Sequence, residues 1–253
     1  MSRATPAERA RLASAIDGVK GWLALSEAWA LHEAARRVGT SGGAIVEVGS
    51  YHGRSTIALA LGARAGGADQ VFAVDPESYE EGQYEAFLGN IGRAGVQDNV
   101  RLIRALSHDA RPEFEDQSID LLFLDGAHQY HHVLNDVKDW QTALRDGAVI
   151  AFNDAFWLEG VRRALQDSVA RRRFPFRRPR WIFNTMFFDY SPSKPWTLVD
   201  TVRLARARAF LRIGGAWTRF HGRLMKDRIP KWIKDADHQL MLGTLRLILP
   251  AER

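Results

Sequence analysis

The chain of 253 residues contains no cysteine. This excludes a disulfide scaffold, a thiol nucleophile and any cysteine-ligated zinc or iron–sulfur centre. Lysine is scarce, six residues against 29 arginines. No run approaches 18 apolar residues, so the sequence offers no membrane-spanning helix. The N-terminal MSRATPAERA lacks the apolar core of a signal peptide, and a cytoplasmic location is expected. With 46% hydrophobic and 26% charged residues, the composition is that of a globular chain long enough to bury a sizeable core.

The formal charge of +5 conceals two unlike parts: residues 1–160 carry a net −9 and residues 161–253 a net +14. A basic block suits nucleic acid, an anionic membrane or an acidic partner. It also suits helices whose arginine stems cover apolar surface. No N-P-P-[YF] motif for base methylation accompanies it, and the packing or interface role is favoured. A homodimer is the expected assembly, nucleic acid is not the expected partner, and peripheral membrane contact stays open.

Residues 6–38 read as amphipathic helix broken near Gly18 and Gly21. The period then changes. Short β-branched runs at 44–48, 70–74, 100–104, 119–124 and 148–152 alternate with helical patterns at 55–64, 84–94, 130–145 and 159–172. Such alternation predicts an α/β fold with a mostly parallel central sheet and helices on both faces. Right-handed crossovers then bring the C-terminal ends of the strands to one edge. Pro175 and Pro179 prevent regular structure throughout 171–180, and Trp181–Tyr190 reads as an antiparallel edge strand. Residues 200–223 and 230–249 read as basic amphipathic helices. The expected organisation is an N-terminal helical segment (1–40), a central domain (41–190) and a basic helical extension packed on it (191–253).

The first strand runs into Glu47-Val-Gly-Ser-Tyr-His-Gly-Arg-Ser-Thr56. Its G-x-x-x-G spacing fits neither the dinucleotide loop G-x-G-x-x-G nor the P-loop, which needs one more residue and a lysine where Arg54 stands. Glu47 before the two glycines suits a ligand with positive charge rather than a polyphosphate. The second strand ends in Val74-Asp75-Pro76, which sets a carboxylate where α/β folds hold ribose hydroxyls. Asp75 also suits a plain strand-end cap.

The fourth strand leads into Leu124-Asp125-Gly126-Ala-His128-Gln-Tyr130 and the fifth into Phe152-Asn153-Asp154. Asp125, Asn153 and Asp154 would bring three hard oxygen ligands to one edge, the donor set that Mg²⁺ or a similar divalent ion needs. Each alone suits a strand end or helix cap.

These motifs together resemble the class I S-adenosylmethionine (AdoMet)-dependent methyltransferases. Within them the chain is similar to the metal-dependent sugar O-methyltransferase branch, with the macrolide-sugar and rhamnosyl O-methyltransferases. The resemblance covers residues 40–155. It implies a Rossmann-like methyltransferase fold that transfers a methyl group to a hydroxyl of a sugar, such as a mannoside or oligosaccharide precursor. By that likeness Glu47, Gly49, Ser50, Gly53, Ser55 and Asp75 would hold AdoMet, with Ser107 near the adenine. Asp125, Asn153 and Asp154 would carry Mg²⁺, although Asn153-Asp154 departs from the usual acidic or Asp-Asn pair. A base is also needed, because a protonated alcohol is a poor nucleophile. His128, three residues after Asp125 at the start of a helix, is the candidate. Tyr130 and His52 are candidate neighbours of substrate or cofactor, and residues 76–84 form either a mobile cover or a solvated acidic loop. The alternatives are a nucleic-acid methyltransferase or binder, and a non-catalytic interaction protein.

Overall fold

A computed structural model describes residues 5–170 and 172–224. Two helices come first, α1 (Pro6–Ile16) and α2 (Leu25–Val38). Five strands then alternate with four helices: β1 (Ala44–Val48), α3 (Arg54–Gly66), β2 (Val71–Val74), α4 (Gln83–Arg93), β3 (Val100–Ile103), α5 (Ser107–Ala110), β4 (Ile119–Leu124), α6 (Tyr130–Trp140) and β5 (Leu144–Phe152). Helix α7 (Glu159–Ala170), strands β6 (Phe176–Ile182) and β7 (Thr185–Tyr190), and helix α8 (Leu198–Leu224) follow. The sheet order is β3-β2-β1-β4-β5-β7-β6, with β1 to β5 parallel and the last two strands antiparallel.

The strands explain the layers. All six residues of β4 are buried, and from Leu121 to Leu124 they alternate between two apolar clusters. Leu121 and Phe123 pack with Leu31, Ile57, Leu59 and Phe87 on the α2–α3–α4 face. Leu122 and Leu124 pack with Val133, Trp140, Leu165 and Phe210 on the α6–α7–α8 face. A strand covered on both sides reads as a continuous apolar run, as this one does. Helix α8 belongs to the same body through Leu204, Ala207, Phe210 and Leu211. Gly214 lets it approach closely, since a Cβ there would sit 2.8 Å from the Phe156 ring.

Three expectations need correction. The helix expected to run to residue 145 ends at Trp140, because β5 already starts at Leu144. Residues 181–190 are not one edge strand: β7 pairs with β5, and β6 lies outside it. Strand β6 accommodates Pro179 through a register shift between Arg177 and Arg180, with Arg178 at φ +44°. A bulged edge strand is where a sheet tolerates proline. His128 stands in the loop before α6, whose N-cap is Gln129, rather than in the helix. The helix expected over 230–249 lies outside the described residues.

The basic rear is partly structural. Buried Arg177 pairs with Asp200 at 2.5 Å and also donates to the carbonyls of Ser191, Lys194 and Pro195. Buried Arg162 donates to the Phe156 carbonyl at 2.8 Å. No described helix is long and apolar enough to cross a membrane.

Candidate active site

The ladder hydrogen bonds continue past the strand ends and align the loops that follow. Asp75 N bonds Ile103 O, Gly49 N bonds Val74 O, Asp125 N bonds Val48 O, and Asn153 N bonds Leu124 O. Asp75, Gly49, Asp125 and Asn153 therefore stand in a row along one edge. Gly49 has φ +91°, and a Cβ on it would lie 2.3 Å from the Asp125 carbonyl oxygen. Glycine is required there because the two loops touch backbone to backbone. Gly53, at φ +84°, opens α3.

Asp75 organises this edge. One carboxylate oxygen accepts from Ser50 N at 2.8 Å and Tyr51 N at 3.0 Å. The other accepts from Glu77 N at 2.7 Å and Gln83 Nε2 at 3.1 Å. It is thus more than a strand-end cap, since it ties the glycine loop to the loop after β2. Glu47 is fully buried and accepts from the Thr56 hydroxyl, with the Ser55 hydroxyl close by, while its Oε1 has no partner. Burial pushes its carboxyl up to about 8, against the pull of the two hydroxyls, with Asp125 and Asp75 adding repulsion. Buried Ser50 also has an unpaired hydroxyl.

Asp125, His128 and Asp154 converge, each offering one ligand atom within 4.8 Å of the others. His128 Nε2 lies 3.2 Å from Asp154 Oδ2 and 3.7 Å from Asp125 Oδ1. Burial raises both carboxyls, that of Asp125 to about 6. The imidazole is raised in turn by Asp125 and Asp154. Asn153 is buried beside Asp125, with its Oδ1 3.0 Å from Thr185 Oγ1. Two carboxylates facing one point fit a divalent cation, and His128 Nε2, buried beside them without an aligned hydrogen bond, can accept a proton there.

Ser107 is held on the neighbouring helices, donating to Asp136 Oδ1 at 2.6 Å and accepting from Trp140 Nε1 at 2.9 Å. Asp136 lines a depression together with Asp125, His128 and Asn153, so Ser107, bonded to Asp136, adjoins the same site. Tyr130 turns to Asp167 at 2.6 Å. His52 binds Glu80 at 2.8 Å, and Glu80 also pairs with Lys20 at 2.7 Å. The loop after β2 is thereby clasped to the glycine loop and to the segment before α2.

Sequence reasoning missed several members. Glu27 in α2 and Asn184 and Thr185 at the start of β7 support Asn153 and Asp154 from far along the chain. Glu77, at φ +54°, is buried with both carboxylate oxygens unpaired.

Residues 46–155 match a methyltransferase-domain family. The fold superposes on TomG, an O-methyltransferase from Streptomyces achromogenes solved with SAM, with TM-score 0.55 and 17% identity over 74% of this chain and 91% of that one. The architecture is that of the class I methyltransferases. An O-methyltransferase from Bacillus cereus, solved with SAH, shares this methyltransferase fold at TM-score 0.53 and 18% identity, over 75% of this chain and 92% of that one. Among curated sequences, an uncharacterised protein y4gI of Sinorhizobium fredii is 35% identical over 116 residues, 44% of this chain and 13% of its own length. A caffeoyl-CoA O-methyltransferase of Populus kitakamiensis is 29% identical over 133 residues, 49% of this chain and 52% of its own. The chain therefore spans about half or less of the curated relatives it matches.

Proposed function

We propose that this protein is an AdoMet-dependent, divalent-cation-assisted O-methyltransferase that methylates a hydroxyl of a sugar or a similarly hydroxylated small molecule. The reading is carried by the convergence of Asp125, His128 and Asp154 against the glycine loop. The matched methyltransferase domain and the SAM- and SAH-bound neighbours support the cofactor. Glu47, Gly49, Ser50, Gly53, Ser55 and Asp75 would hold AdoMet, with Ser107 near its adenine. AdoMet supplies a methyl group on positively charged sulfur. A divalent ion would be held by Asp125, Asn153 and Asp154 and would supply charge stabilisation for the acceptor oxygen. His128 Nε2 receives the proton of the acceptor hydroxyl.

Support for a sugar comes from the rim. Trp22 and Tyr79 are 76% and 77% exposed and flank Tyr51, with ring centroids 5.5 and 5.9 Å from it. Such faces pack the C–H side of a pyranose, with Lys20 and Glu80 nearby for its hydroxyls. A phenolic acceptor is the second reading, favoured by the 29% identity to the caffeoyl-CoA enzyme. Transfer of labelled methyl from AdoMet to mannosides, other glycans and catechols, with Mg²⁺ and with chelator, tests both. Labelling of a glycan that chelator abolishes supports the proposal. Labelling of catechols alone selects the second reading, and labelling that ignores chelator removes the ion from the account.

A further inference from the structure

One buried hydroxyl joins α2 to the ion-binding edge. Thr185 is fully buried, and its Oγ1 lies 2.7 Å from Glu27 Oε1 and 3.0 Å from Asn153 Oδ1. A hydroxyl has one hydrogen and cannot donate to both. Two arrangements satisfy the set. In the first, Glu27 carries a proton and donates to Thr185, Thr185 donates to the Asn153 oxygen, and the Asn153 NH₂ faces Asp125. In the second, Glu27 is ionised and takes the Thr185 hydrogen, so the Asn153 NH₂ must turn to Thr185. Its oxygen then faces Asp125.

The surroundings tell which arrangement goes with an ion. Glu27 already accepts from Ala24 N at 2.9 Å and Asn184 N at 3.1 Å, a donor set that suits an ionised carboxylate. Burial, with Asp125 adding repulsion, pushes Glu27 up to about 7, so both protonation states are accessible near neutrality. Without a cation, an amide oxygen facing Asp125 meets only negative charge; with one, it becomes a third hard ligand. Asn184 has no such freedom. Its oxygen accepts from Phe156 N and Trp157 N, which fixes its NH₂ on Asp154.

We propose that Thr185, its hydrogen drawn to Glu27, is a positioning residue that turns the Asn153 amide oxygen toward Asp125 and Asp154 and completes the cation site. This rests on the cation reading above. Second-sphere partners of this kind govern metal affinity about 10- to 100-fold.

The test is Mn²⁺ affinity of the full-length protein, read by electron paramagnetic resonance without turnover. Thr185→Val should weaken binding by about 10-fold or more, and Thr185→Ser, which keeps the hydroxyl, should restore it to within about twofold. SAH binding and melting temperature verify the fold. Glu27→Ala should add nothing to Thr185→Val, since both act through one hydrogen. In the wild type, Mg²⁺ should shift the Asn153 side-chain amide signal, assigned by its loss in Asn153→Ala; that measurement stands even if Thr185→Val fails to fold. Wild-type affinity in Thr185→Val, additive losses, or an unmoved Asn153 signal overturns the proposal while the cation reading survives. No Mn²⁺ binding by the wild type overturns both.

Discussion

Glu47→Gln should stabilise the protein and damage cofactor binding at the same time, and the stabilisation should depend on pH. The carboxyl is fully buried and raised from 4.5 to about 8. Folding therefore favours its protonated form. Stability from this group is fully present below the unfolded pKa and is lost as pH rises through 8. At about 1.4 kcal/mol per pKa unit, the wild type loses roughly 4 kcal/mol between pH 5 and pH 9 from this residue alone. Glutamine has nearly the same shape and no charge, and the Ser55 and Thr56 hydroxyls can reorient to meet its amide. For a chain of this size, roughly 4 kcal/mol corresponds to about 8–16 °C in Tm. Calorimetry of both proteins at pH 5, 7 and 9 should show a gap that widens with pH, from under about 3 °C to at least about 8 °C. A gap that is constant across pH would refute the argument. AdoMet affinity should fall in the variant, because the unpaired Oε1 then belongs to a neutral amide rather than to a carboxylate able to ionise beside a cation.

Gly49→Ala places a Cβ against the Asp125 carbonyl at positive φ, and should cost about 2 kcal/mol or more in chemical denaturation. Arg177→Ala leaves Asp200 buried without its partner, and should cost about 3 kcal/mol in the same assay. His128→Ala should lower the methyl-transfer rate roughly 100-fold or more. In the wild type the rate should fall on the acidic side as the imidazole protonates, and that limb should vanish in the variant; an unchanged pH–rate profile rejects His128 as the base.

The parts of this site that sequence revealed are those set by local pattern. Continuous apolar runs such as Ile119–Leu124 mark central strands, and parallel strands force Asp75, Asp125, Asn153 and Asp154 to one edge. Parts that depend on long-range packing stayed hidden. Glu27 and Thr185 are 158 residues apart, and nothing local links them. The β6–β7 hairpin was obscured because its bulge at Arg178 and its buried Pro179 interrupt the alternation that marks a strand. The sequence marks His128 as chemistry, but its place between two carboxylates follows from the loop before α6 meeting the loop after β5.

The most direct test of the central claim is methyl transfer by Asp125→Ala and Asp154→Ala at saturating AdoMet and Mg²⁺, with SAH affinity measured alongside. Transfer should drop to background in both variants while SAH binds within a few-fold of wild type. Undiminished transfer by either variant, or by the wild type in excess chelator, would contradict an ion held at Asp125 and Asp154.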